Sequence, residues 1–436
     1  MTEYIGKAMP RYDAEGQVTG RVKYVDDITV PGMKCVKTLR SPVHKGIIKK
    51  LDFSKAEQIP GVVGFLTVND IPGQNAHGRF KDMPVFAPGN RVRYKGEPIA
   101  AVVAVDEHAA MEALEKVHLE IEEETPVFDI FEAMKPNAPL VRPDSKSNVW
   151  VYFPPDKTVL TLVLGDVQAG FSEADRIIEG RYSTGVQDHA PMETNVSVAY
   201  YDEARRLVIH TVGQSIYAHL GMLCAILDMP MSKIRYIGGR IGGAFGSKND
   251  IHTDHIAALA VRKFGCPVKY RLPRAEDLQF TTKRGAFVLD YKTGVKKDGR
   301  MTACHIQIWH DTGAYAGMSP YGLEKCAMYA HGPYAIPNIL VEARTIFTNR
   351  PISSSMRGYS VINGQFASEV HMNRIADALR MDPWELRFIN AWRDGDQGVS
   401  RYRVRGAGAL EAMKKAAALA GIQLPDRLQN MSSRGR

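Results

Sequence analysis

The run Gly238-Gly239-Arg240-Ile241-Gly242-Gly243-Ala244-Phe245-Gly246-Ser247-Lys248 sets five glycines around one bulky aromatic. Backbone without Cβ atoms turns sharply and lets a ligand come close, so this stretch is a loop rather than the interior of a helix or strand. Lys233 to Ile237 reads as a short strand leading into it. Asp250 to Phe264 reads as a helix after it, with Ile256, Leu259 and Ala260 on one face and Gly265 as its stop. This order predicts that the loop opens a helix, where free N–H groups and the helix dipole suit an anionic ligand.

Two familiar anion-binding motifs do not fit. The dinucleotide fingerprint needs glycines at its first, third and sixth positions, a register the loop never supplies. The phosphate loop needs Gly-Lys-Ser/Thr, whereas Lys248 here follows Ser247 and precedes Asn249. A glycine-rich turn packed on a sheet fits the same residues, so the loop alone leaves its ligand open.

With 436 residues, 44% of them hydrophobic, the chain has enough apolar material for two or three domains. Its first residues lack the basic and apolar regions of a secretory signal, and no apolar run approaches the ~20 residues of a membrane span. The expected location is the cytoplasm, with no membrane partner. Cys35, Cys224, Cys266, Cys304 and Cys326 form no C-x-x-C pair, so the sequence encodes neither a zinc site, an iron-sulfur cluster nor a disulfide framework. The net charge of +8 raises nucleic acid as a partner, but the basic residues are dispersed among acids except around Arg401, Arg403, Arg405, Lys414 and Lys415. No recognisable nucleic-acid module is present, and none is expected to bind.

Ile99 to Val105 is an apolar run suited to a buried strand. Asp106 is placed to cap a helix carrying Ala110, Ala113, Leu114 and Val117, and Leu119 and Ile121 then alternate with Glu120 and Glu122. This strand, helix, strand order predicts an α/β domain over 1–134. Residues 135–148, with Pro136, Pro139 and Pro143, have the composition of a linker, and 149–436 reads as a second, α+β domain. Leu207 to Val212, Phe287 to Tyr291 and His305 to Trp309 are its strand candidates. Phe366 to Leu379 and a helix started by Asp382 and Pro383 are core helices, and Ala407 to Leu424 is the last.

Several stretches resemble the molybdenum hydroxylases, the family of xanthine dehydrogenase and aldehyde oxidase. Arg11-Tyr12-Asp13-Ala14, Val18 to Asp27, Arg40-Ser41-Pro42-Val43-His44 and Pro60-Gly61-Val62-Val63 resemble the opening of that family's a/b hammerhead domain. Gly242 to Lys248 is similar to its Gly-Gly-Gly-Phe-Gly-Gly-Lys segment, with Ala244 and Ser247 replacing two glycines. Met356-Arg357-Gly358-Tyr359 is similar to its Arg-Gly-Phe-Gly segment, and Asp382 to Asn390 to its Asp-Pro-x-Glu-x-Arg-x-x-Asn helix. The implied fold class is α+β, a hammerhead domain followed by the first half of a molybdopterin-binding domain.

In most relatives the polypeptide continues through a second molybdopterin region carrying a glutamate base. Here the sequence ends after a polar tail from Gln429 to Arg436. The resemblance is therefore to split members such as the bacterial nicotinate dehydrogenases, and it implies a medium molybdopterin subunit holding the rest of the site, a small [2Fe-2S] subunit and an FAD subunit. The implied cofactor is a molybdenum-molybdopterin, as the cytosine dinucleotide, shared with that medium subunit. The implied reaction is hydroxylation of a nicotinate-like N-heteroaromatic ring with water as the oxygen source, electrons leaving through the Fe-S and FAD subunits. A xanthine or purine dehydrogenase, an aromatic-CoA reductase subunit and a non-catalytic scaffold subunit are the competing readings.

The resemblance also assigns roles. Gln214, in Thr211-Val212-Gly213-Gln214, would hydrogen-bond an oxygen ligand of molybdenum without ligating the metal itself. Gly243, Ala244, Phe245, Gly246 and Arg357 would meet the cofactor, Phe245 and Arg357 through their backbone. Lys325 stands where relatives carry an arginine that stabilises charge developing on the substrate, and offers a point charge without the fork. Tyr359 matches an aromatic that packs on a planar substrate. Asn249 stands where purine-oxidising relatives place a glutamate, which weighs against xanthine. Glu193, in Pro191-Met192-Glu193-Thr194, reads as structural, and the catalytic base is expected on the partner. Each of these residues also has a plain structural reading: strand end for Gln214, core plug for Phe245 and Tyr359, surface cation for Arg357 and Lys325.

Overall fold

The computed structural model describes residues 4–152 and 157–434. Residues 1–3 of the expected start and residues 435 and 436 of the polar tail lie outside the described residues. The chain forms two compact units that interleave along the sequence, one from Met1–Glu124 with His189–Thr281, the other from Thr125–Asp188 with Thr282–Arg436.

The first unit is built on a seven-stranded sheet. Its order is Ile234–Gly238, Leu207–Thr211, Val196–Tyr201, Val268–Arg271, Lys34–Arg40, Pro98–Ala104, Val62–Leu66. Two of its pairings are parallel, Leu207–Thr211 with Ile234–Gly238 and Lys34–Arg40 with Val268–Arg271, and the others are antiparallel. Pro98–Ala104 is buried from Ile99 onward, as a continuous apolar run requires. Asp106 caps the helix Glu107–Lys116 by accepting the Ala109 N–H at 2.9 Å, and Ala109, Ala110 and Ala113 pack on Phe65, Val102 and Ala104.

Two helices, Ile216–Leu227 and Asp254–Phe264, share one core with this sheet. Leu223, Ile226, Ile256 and Leu259 pack among Val36, Leu207, Ile209 and Val268. The expected apolar stripe on the second helix is wider than its sequence suggests: every residue from Asp254 to Val261 is buried. Gly265 ends the helix at φ +69°.

Residues 189–281, read from sequence as part of the second domain, thus complete a sheet begun by strands from the first hundred residues. Short strands carry no mark of their partner, so this exchange is invisible to periodicity. The segment 135–148 is also no free tether. The Asn148 side chain is buried, accepts the Val141 N–H at 2.8 Å and donates to the carbonyls of Ala133 and Pro139 at 3.1 Å each. The prolines there stiffen a packed turn.

The second unit carries a five-stranded sheet ordered Leu160–Leu164, Asn338–Phe347, Met301–Gly313, Phe287–Val295, Arg176–Thr184. Phe287, Leu289 and Tyr291 are buried at period two and meet Leu323 and Cys326 of the helix Ser319–Tyr329 and Met372 and Ile375 of the helix Val361–Leu379 in one core. Asp382 caps Pro383–Asn390 by accepting from the Trp384 and Glu385 N–H groups at 2.8 and 3.1 Å.

Candidate functional site

The glycine loop leaves the strand Ile234–Gly238, and the Gly239 N–H donates to the Thr211 carbonyl at 2.9 Å. Beyond Gly242 the backbone enters the left-handed region at Gly243 (φ +93°), Phe245 (φ +57°) and Gly246 (φ +107°). At the two glycines this conformation is free of Cβ strain, and at Phe245 it costs on the order of 1–2 kcal/mol. The strained residue is also 47% exposed, so the loop spends conformational energy to hold an aromatic ring outward. Such strain persists only where the surroundings over-determine it.

Those surroundings are the Ser247 N–H and hydroxyl, which both bind the Ala244 carbonyl at 3.0 and 2.9 Å, and a buried ion pair. The Lys248 ammonium, fully enclosed, lies 2.6 Å from Glu193 Oε2, and the Gly242 N–H reaches the same oxygen at 2.9 Å. Burial pushes the Lys248 pKa down, while the Glu193 carboxylate opposes that shift.

Gln214 and Asn249 join this loop. The Gln214 N–H donates to the Lys248 carbonyl at 2.7 Å, and its side chain is exposed. Asn249 Oδ1 accepts from the Ser215 hydroxyl, and the Asn249 carbonyl lies 2.8 Å from His219 Nε2. In the first unit, then, Gln214, Gly243, Ala244, Phe245, Gly246 and Asn249 form one assembly. The expectation that the loop opens a helix does not hold. A single turn, Ser247–Asn249, follows Gly246, Asp250 is extended (φ −101°, ψ 159°), and the helix starts only at Asp254. The buried Asp254 end of that helix is sunk in the core and offers no anion site.

The second unit holds Lys325, Arg357 and Tyr359. Arg357 and Lys325 are exposed, the latter midway along Ser319–Tyr329. Tyr359 (φ +42°) and Ser360 (φ +66°) form a strained turn before Val361–Leu379, and the Tyr359 hydroxyl donates to the Met318 carbonyl at 2.9 Å. Gly322 lets that turn pack on the helix of Lys325, since a Cβ there would stand 2.7 Å from Ser360 Oγ. Arg357 is held through its carbonyl, which accepts from Arg284 Nη2 at 2.7 Å. Arg284 is buried, and its Nε and Nη1 have no hydrogen-bond partner among the described residues.

Two groups escaped sequence reasoning. Arg284 sits in an ordinary Lys283-Arg284-Gly285 context with nothing to mark it as buried. Lys248 ends the loop motif in sequence, but nothing local marks its ion pair, because its partner Glu193 lies 55 residues away.

Comparison with known proteins gives the family of the chain. The molybdopterin cofactor-binding domain family matches residues 152–391, and the aldehyde oxidase and xanthine dehydrogenase a/b hammerhead domain matches residues 19–125. The chain is 32% identical over 416 residues to the nicotinate dehydrogenase large molybdopterin subunit of Eubacterium barkeri, covering 95% of this chain and 96% of that protein. The chain belongs to the molybdopterin-binding subunits of the xanthine dehydrogenase family.

Other molybdenum hydroxylases agree. A probable xanthine dehydrogenase subunit of Bacillus subtilis is 34% identical over 411 residues, covering 93% of this chain and 54% of that protein. The aldehyde oxidoreductase from Desulfovibrio gigas superposes with a TM-score of 0.89 at 28% identity, over 94% of this chain and 46% of that one. The chain thus spans about half the length of these two relatives. The family consists of oxidoreductases, and the hammerhead and molybdopterin folds are those expected from sequence. Among the described residues no helix is long and apolar enough to cross a membrane.

The residues present fit a molybdopterin. In the first unit the loop backbone at Gly243 and Gly246 carries no Cβ, with the Phe245 ring exposed between them; in the second unit, taken by itself, Arg284 retains two N–H donors that lack an acceptor among the described residues. Among the described residues no group of three or more His, Cys, Asp or Glu side chains is placed to hold a metal ion directly.

Proposed function

We propose that this chain is the large molybdopterin-binding subunit of a multi-subunit molybdenum hydroxylase acting on a nicotinate-like N-heteroaromatic ring. The observation that carries the reading is the docking of Gln214 onto Lys248 at the foot of a strained glycine loop, in a chain that matches a nicotinate dehydrogenase large subunit nearly end to end. When bound, a molybdenum-molybdopterin, as the cytosine dinucleotide, would supply the redox centre that adds a water-derived oxygen to a ring C–H bond.

This chain's own part is positioning. The exposed Gln214 amide offers both a donor and an acceptor. Gly243, Ala244, Phe245 and Gly246 present backbone and one ring, and Arg357 adds a cation held by its carbonyl. In the second unit Lys325 offers a point charge for negative charge developing on the substrate, and Tyr359 a flat apolar face. Asn249 is occupied by Ser215 and carries no charge, so a substrate that needs a carboxylate at that position is disfavoured. Among the described residues no carboxylate is assigned as base: Glu193 Oε2 is committed to Lys248 and Gly242. The base, the remaining molybdopterin contacts, the [2Fe-2S] cluster and the FAD are assigned to other subunits, all in the cytoplasm.

The test is anaerobic reduction of the purified complex. Nicotinate should reduce its iron-sulfur and flavin chromophores roughly 100-fold faster than xanthine, the discrimination expected when a required charged contact is missing. Equal rates would defeat the use made of Asn249, and reduction by xanthine alone would favour the purine reading that the Bacillus subtilis relative suggests.

A further inference from the structure

Glu193 touches the glycine loop at both ends. Its Oε2 accepts from the Gly242 N–H at 2.9 Å and from the Lys248 ammonium at 2.6 Å, and its own N–H donates to the Gly242 carbonyl at 3.0 Å. The contact is close: a Cβ on Gly242 would stand 2.8 Å from the Glu193 Cβ. Gly242 and Lys248 are therefore the two feet of an arch whose crown is Phe245, and one carboxylate joins them.

The carboxylate is itself anchored from behind. Arg274 Nη2 donates to the carbonyls of Pro191 and Met192 at 2.5 and 2.8 Å. Asp277, three residues on, accepts from the Asn195 N–H and side-chain amide at 3.0 and 2.8 Å. The segment from Pro191 to Asn195 is thus fixed on both sides of Glu193. On the far foot, the Lys248 carbonyl accepts from Gln214. A displacement of Lys248 moves the residue next to which Gln214 is set.

We propose that Glu193 and Lys248 are positioning residues, a buried ionic clasp that closes the glycine arch and sets Phe245 and Gln214 for the cofactor. The inference rests on the molybdopterin reading for its purpose but not for its geometry. A like-sized neutral residue at 193 keeps an acceptor for Gly242 but no counter-charge for Lys248, so the far foot is released while the sheet beneath keeps its own hydrogen bonds.

The experiment uses the assembled complex, with Glu193→Gln and the neutral pair Glu193→Gln/Lys248→Met. Amide hydrogen exchange in peptides covering Gln214 and residues 239–249 should quicken by about tenfold or more in both variants, with Val196–Tyr201 and Val268–Arg271 unchanged. Turnover should fall by about tenfold or more in kcat while KM for the heteroaromatic substrate stays within roughly threefold. If the single variant does not fold, the double variant, which leaves no unpaired buried ammonium, gives the same readings. Loop exchange equal to wild type, or a uniform rise through the sheet, overturns the proposal. A wild-type complex without molybdenum defeats the molybdopterin reading, and the exchange comparison still decides the clasp.

Discussion

Arg284 donates from Nη2 to the Arg357 carbonyl across 2.7 Å, while its two other guanidinium nitrogens find no protein acceptor among the described residues. Burial pushes the Arg284 pKa down, the mark of a cation held where its charge is poorly compensated. Removing an under-partnered buried charge relieves a desolvation cost as well as breaking a bond. Arg284→Met should therefore shift the unfolding free energy by no more than about 1 kcal/mol. The turn at Arg357-Gly358 should nevertheless loosen, and trypsin should cut after the exposed Arg357 faster than in wild type. A large loss of stability with unchanged cleavage would show that Arg284 serves the core instead.

Two glycines, treated alike, should respond in opposite directions. Gly221 lies inside the helix Ile216–Leu227 with open space where a Cβ would go, so Gly221→Ala should stabilise the protein by about 0.5–1 kcal/mol. Gly246 stands at φ +107°, and Gly246→Ala should destabilise it by about 1–3 kcal/mol. Denaturant midpoints of the two variants check the sign. A stabilising Gly246→Ala would mean that the loop does not hold this backbone.

Much of this was legible in the sequence, and the failures have causes. Glycine spacing, the Asp106 and Asp382 caps and the Gly265 stop depend on neighbours within a few residues, so they could be read directly. The helical spacing of Ile256, Leu259 and Ala260 predicts a helix opening at the loop, but the extended Asp250 separates the two. The Glu193 clasp and the Arg284 bond join residues 55 and 73 positions apart. No local pattern reports such pairs. Asn148 reads as linker because a polar side chain among prolines has the same local signature whether solvated or buried with its hydrogen bonds satisfied.

Acid should destabilise the protein before its carboxylates titrate. His77, His331 and His371 are buried with pKa values lowered to about 4, and His310 to about 3, each chiefly by desolvation. In the unfolded chain these side chains take up protons near pH ~6.5, whereas the folded state resists until near pH 4. The unfolded state thus binds more protons between those limits, and stability rises with pH across that window. Going from pH 7 to pH 5 should cost on the order of 1–2 kcal/mol for each such histidine, read as a falling urea midpoint. A midpoint that holds constant or rises over this range would contradict the neutral buried state of these rings.

The central claim is that this chain forms part of a molybdopterin site, and metal and pterin analysis of the purified, fully assembled complex tests it most directly. The account predicts molybdenum and pterin in equal amounts, both diminished when Gly246→Ala distorts the loop. A complex containing all its subunits but neither molybdenum nor pterin would contradict it.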